Sequence, residues 1–115
     1  MVSFANRFNK TSFGIDTTNF KYVKLSEMYQ SDGADVIHTF NGAFVHHGKL
    51  GDSPVLIDED HKLLINLPSH MTETVREILA DPDAVQYIKE KKVGFTIYEY
   101  ESHARKCYSI SFVDL

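Results

Sequence analysis

The chain has 115 residues, 43% hydrophobic and 24% charged, the balance of a soluble globular domain with enough length for one core of its own. No apolar run approaches the roughly 20 residues that cross a bilayer, and residues 1–20 lack the apolar centre of a signal peptide, so the expected setting is cytoplasmic, without membrane attachment. The net charge of −4 argues against a broadly basic nucleic-acid surface, but it is uneven: residues 1–24 carry +3 and the remaining 91 carry −7.

In chain order, residues 1–35 read as a basic and aromatic N-terminal extension. Phe4, Phe8 and Phe13 recur among Asn, Ser, Thr and basic residues, and Gly14 with Thr17-Thr18-Asn19 interrupts any helical spacing. Phe20, Tyr22 and Leu25 alternate with Lys21 and Lys24 as a short extended segment, and Ser31-Asp32-Gly33 is a turn signal. Residues 36–115 read as the domain body. A first strand is expected over Val36–His46, with Gly42 as the place where it bends. The loop His46–Asp52 holds two glycines, Pro54 opens a strand to Asp58, and Asp58–His61 forms a polar turn before a third strand over Lys62–Leu67. Pro68 ends that strand, and Ser69 or Thr72 can cap the helix that follows. Met71, Val75, Ile78 and Leu79 form an amphipathic stripe. Asp81-Pro82 is a second helix start, so Met71–Lys92 reads as two short helices or one kinked helix. Strands over Gly94–Glu101 and Cys107–Val113 close the pattern. The single cysteine, Cys107, lies inside a strand and reads as a small structural residue; it excludes an intramolecular disulfide and fits a reducing compartment.

Three strands, a helical segment and two more strands predict a mainly β fold: an OB-fold-like five-stranded Greek-key barrel, with the helix plugging its open end. No catalytic signature is present, neither Gly-x-Ser-x-Gly nor P-loop, dinucleotide fingerprint or His-Glu-x-x-His. The chain therefore reads as a non-enzyme with no cofactor. Six histidines invite a metal reading, but adjacent His46 and His47 on an extended segment point to opposite sides, and no second cysteine assists. On a barrel of this kind, ligand crosses one face between the loop joining strands one and two and the loop joining strands four and five. The first loop offers His46, His47 and Lys49; the last offers Ser102, His103, Arg105 and Lys106. Such cations suit phosphates, and outward rings stack on bases whatever their sequence. If Phe95 and Ile97 face the core, Tyr98 and Tyr100 face out beside the final loop; Phe40 and Phe44 read as core.

The run Asn41-Gly-Ala-Phe-Val-His-His-Gly-Lys-Leu-Gly-Asp-Ser-Pro-Val-Leu-Ile57, with Leu63-Leu-Ile-Asn-Leu-Pro68 and Val93-Gly-Phe-Thr-Ile-Tyr-Glu-Tyr100, resembles the small single-stranded DNA-binding proteins of phages of Gram-positive bacteria. The resemblance covers about residues 36–113 and rests on element order and texture. It implies an OB-fold, non-sequence-specific binding of single-stranded DNA, a role in phage DNA replication or recombination, and a homo-oligomer such as a dimer. The acidic body keeps a second expectation open: a protein-interaction or inhibitor module that binds a host or phage protein.

Overall fold

In the computed structural model, residues 15–49 and 51–115 are described, and the expectations for Phe4, Phe8 and Phe13 lie outside them. The elements run β1 (Lys21–Lys24), α1 (Leu25–Asp32), β2 (His38–Thr39), β3 (Gly42–Gly48), β4 (Gly51–Asp58) and β5 (Leu63–Asn66). A 3-10 turn (Ser69–Met71), α2 (Thr72–Ala80), α3 (Pro82–Lys89), β6 (Val93–Ser102) and β7 (Arg105–Asp114) complete them. The fold is mainly β, in two sheets ordered β1-β5-β4-β3 and β2-β6-β7.

The strand expected over Val36–His46 is divided. Its first part, β2, pairs with β6, placing Thr39 opposite Gly94; its second, β3, pairs with β4 from Gly42 opposite Ile57 to Gly48 opposite Gly51. One stretch of chain thus feeds both sheets, and the change of sheet falls at Phe40-Asn41, just before Gly42. Asn41 pins the corner: its N–H donates to the Ile57 carbonyl at 2.9 Å, and its side chain exchanges hydrogen bonds with Glu59 at 3.2 and 3.1 Å. The corner also breaks the alternation across it, so that Phe40 packs on Phe95 while Phe44 packs with Val55 and Ile57. At Gly42 a Cβ would meet the Ile15 and Ile57 methyls at 3.0 Å, so the absent side chain admits the close approach.

The expected barrel does not close. β1 lies parallel on the outer edge of β5, Lys21 opposite Leu63 through Lys24 opposite Asn66, and so occupies the edge that a closing strand would need. β7 bonds only to β6 among the described residues. α1 packs against β6 and β7, with Leu25 and Met28 in the central core and Tyr29 tilted onto Tyr108 at 5.3 Å. Residues 21–32, read as part of an extension, therefore supply a strand and a core helix. The central core joins Leu25, Phe40, Leu56, Ile65, Val75, Ile88, Phe95 and Ile97; a second cluster of Ile15, Val55, Ile57 and Leu64 takes Phe20 and Phe44. β4 is thus buried on both faces, which explains its continuous Val55-Leu56-Ile57 run.

The helical segment divides as its residues dictate. Asp81 caps α3, its Oδ1 accepting from the N–H groups of Asp83 and Ala84 at 2.9 and 3.3 Å, and Pro82 occupies the first turn. Neither Ser69 nor Thr72 caps α2 in the expected sense. Ser69 starts the 3-10 turn, and the Thr72 hydroxyl donates back to the Ser69 carbonyl at 2.7 Å. None of the helices is long and apolar enough to cross a membrane among the described residues.

Candidate functional site

The β6–β7 hairpin is built on a two-residue turn. His103 and Ala104 both take positive φ, 52° and 61°, and Ser102 pairs with Arg105 across them, the geometry of a type I′ connection. This tight turn sets the side-chain alternation of both strands. Phe95 and Ile97 enter the core, so Tyr98 and Tyr100 take the opposite face, as expected. Their rings lie 5.9 Å apart, and Tyr98 is 44% exposed. Burial, and then Cys107 on the neighbouring strand, push the Tyr100 hydroxyl above its ordinary range, so it remains a neutral donor at physiological pH.

A third ring extends the pair. His70, in the 3-10 turn, meets Tyr100 edge-on at 6.4 Å, and its Nε2 lies 3.5 Å from the Ser109 hydroxyl. Ser109 also bonds Met71 Sδ at 3.4 Å, and both are buried. The turn is thereby anchored on the tyrosine face of the hairpin. Its neighbour Ser69 lines an open depression with His46, Gly48, Lys49, Gly51 and Asp52. The order Lys49–Ser69–His70–Tyr100–Tyr98 therefore runs from one hairpin tip to the rings of the other sheet.

The two tips do not behave alike. In the first, the His47 ring Nδ1 lies 2.7 Å from Asp52, and Asp52 also pairs with Arg76 of α2, which holds Glu73 at 2.7 Å. The His47 hydrogen bond, with Arg76 in support, holds the Asp52 carboxyl below the usual carboxylate range. His47 is thus engaged in tying the hairpin to α2, while Lys49 and His46 are exposed. In the second tip His103, Arg105 and Lys106 are all exposed, and Lys106 lies opposite Glu101. Lys49, Arg105 and Lys106 form no ion pair among the described residues, whereas Arg76, Lys91 and Lys92 do. Among the described residues no side-chain hydrogen bond or ring contact links the two tips directly; Ser69 of the 3-10 turn adjoins the first tip and His70 the tyrosines of the second hairpin. His70 escaped the sequence reading, and Ser69 entered it only as a helix cap, because the place of the turn beside the tyrosines depends on where the connection from β5 to α2 crosses the other sheet.

A cavity of about 320 Å3 opens elsewhere, lined by Glu27, Met28, Asp32, His38, Asp58 and His61 among others. His61 Nδ1 lies 2.8 Å from the buried Asp58 carboxylate. The His38 Nε2 is buried without a hydrogen-bond partner among the described residues. Burial lowers the His38 pKa, against the opposing pull of Asp32 and Asp58. Its carboxylates make this cavity unsuited to phosphate. Among the described residues no three His, Cys, Asp or Glu side chains are grouped as a metal cage. No family model, no curated protein and no solved structure matches the chain.

Proposed function

We propose that the chain is a non-sequence-specific single-stranded DNA-binding protein, encoded by a phage or mobile element and acting in replication or recombination, on an opened variant of the OB plan. The observation that carries this reading is the Tyr98–Tyr100 pair, outward on a rigid hairpin and continued by the His70 ring. Bases stack on such rings irrespective of sequence, each worth about 1–3 kcal/mol. Lys49 and Arg105, exposed and free of ion pairs among the described residues, would supply the phosphate contacts, with exposed His46 and His103 at the same two tips. Arg105 shares the tyrosine face of the hairpin, whereas Lys106, opposite Glu101, stands on the other face and drops out of the expected contact set. The OB plan is supported by the element order and by the strand that serves both sheets, the division that plan requires of its first strand.

The test is a titration of labelled poly-dT by filter binding across a range of salt. Affinity should fall with salt by about 0.7 logarithmic units per logarithmic unit of salt for each phosphate contact. Lys49→Glu with Arg105→Glu should weaken retention and flatten that slope. Tyr98→Ala with Tyr100→Ala should weaken binding by at least tenfold, on the stacking energies above, with the slope unchanged. Absence of retention by the native chain at low salt and micromolar protein would refute the proposal. The second reading, a module that binds a protein, is favoured by an apolar depression lined by Phe40, Ile78, Tyr87, Ile88 and Phe112; it predicts that DNA is not retained under any of these conditions.

A further inference from the structure

β7 stands at the edge of the second sheet, and over ten residues its outer side has no strand partner among the described residues. Such an edge, with a row of unpaired N–H and C=O groups, is a template for another chain. Which groups point outward follows from the turn. In a two-residue type I′ hairpin the pair flanking the turn exchanges both its hydrogen bonds, and bonded pairs recur at every second residue. That pair is Ser102 with Arg105, so Arg105, Cys107, Ser109, Ser111 and Val113 bond inward to β6. The main-chain groups of Lys106, Tyr108, Ile110, Phe112 and Asp114 point outward. No turn, loop or cap bond of the described main chain reaches them.

We propose that β7 pairs antiparallel with β7 of a second copy of this chain, joining the two three-stranded sheets into one of six strands. The two-fold axis of such a pair is perpendicular to the sheet, so opposed residues share a face and differ by an even number. Centring the axis on Ile110 sets Lys106 of one copy against Asp114 of the other, Tyr108 against Phe112, and Ile110 against itself. All five outward-pointing residues are then matched, with an opposite-charge pair at each end and an aromatic pair inside each. Sliding the register by two residues sets Lys106 against Phe112, or Tyr108 against Asp114, and loses both charge pairs. Phe112, already 36% exposed, gains a partner ring. Cross-strand pairs of these kinds contribute roughly 0.2–1 kcal/mol each. The arrangement also brings the Tyr98 and Tyr100 rings of both copies to one side of a continuous sheet. It stands whether or not those rings bind DNA.

The register predicts its own cross-link. Cys107 of one copy lies opposite Val113 of the other. Within one chain the two are six residues apart on a strand, about 20 Å, far beyond the roughly 7 Å that a disulfide can span. The chain carrying Val113→Cys, treated with oxidised glutathione at micromolar concentration, should therefore become a covalent dimer on a non-reducing gel. Ser111→Cys, one pair out of register, should do so at least tenfold more slowly. Sedimentation of the native full chain should give a dimer. Lys106→Asp should weaken it about tenfold, and adding Asp114→Lys should restore it. A native chain that sediments as a monomer at high micromolar concentration would overturn the proposal. So would equal cross-linking by the two cysteine variants.

Discussion

His38 sits where three segments meet, its ring stacked on Phe95 at 5.2 Å and its Nε2 buried at the cavity wall. Burial lowers its pKa from the ordinary value of 6.5, with Asp32 and Asp58 acting the other way and His61 assisting. The unfolded chain therefore takes up a proton at higher pH than the folded one. The associated stability is present above about pH 6.5 and is lost as pH falls through the lower folded value. Melting temperature should drop between about pH 7.5 and pH 5.5, and His38→Asn should show a smaller drop. An unchanged slope in the variant would place the titrating group elsewhere. The outward side of Tyr98 and Tyr100 was legible at this scale because strand alternation is a local property, set by Phe95 and Ile97. His70 was not, since nothing in its neighbours along the chain records the sheet it lands on.

At the scale of elements, the decisive event is the passage of residues 38–48 from one sheet to the other. Its support comes from both sides: the Asn41–Glu59 exchange on one, and Gly94 on the other. A Cβ at Gly94 would lie 2.7 Å from the His38 carbonyl oxygen, a backbone atom that cannot step aside without loosening β2 from β6. Gly94→Ala should therefore cost about 1–3 kcal/mol, read from denaturant unfolding, and should raise amide exchange at Phe95, whose main chain faces His38 of β2. Gly42 is more forgiving, because the nearest atoms to its added Cβ are the ends of flexible isoleucine side chains. The break at Asp81-Pro82 was readable in advance, since proline acts through its own backbone, whereas the bend expected at Gly42 falls just before it, at Phe40-Asn41. That the first strand serves both sheets belongs to the plan expected from the sequence; where it divides was settled by β6, which pairs with β2 from far along the chain, while β3 pairs with the neighbouring β4.

Across the whole molecule, two apolar clusters lie on opposite faces of the β1-β5-β4-β3 sheet, and the chain before residue 35 contributes to both. Ile15 and Phe20 join the outer cluster; Leu25 and Met28 join the central one. Leu25→Ala should then destabilise the fold by about 2–5 kcal/mol, measurable as a lowered unfolding midpoint with an unchanged denaturant slope. A change within a few tenths of a kcal/mol would show α1 to be peripheral. Charge is distributed at this scale as well. Carboxylates gather at the His38 cavity, while cations that form no ion pair among the described residues stand at the two hairpin tips.

The sequence alone determined the order of the elements from β3 to β7, the helix break, and the alternation of β6 that turns Tyr98 and Tyr100 away from the side of Phe95 and Ile97. Each of these follows from periodicity, capping or backbone chemistry within a few residues. Tertiary structure alone decided that β1 takes the free edge of β5, that the barrel stays open, and that the 3-10 turn sets His70 on the tyrosine face of the β6–β7 hairpin. It also left the β7 edge free of a strand partner among the described residues. The physical reason is common to all four: a strand's hydrogen-bonding edges are alike whatever its side chains, so which segment takes an edge is settled by competition across the whole chain.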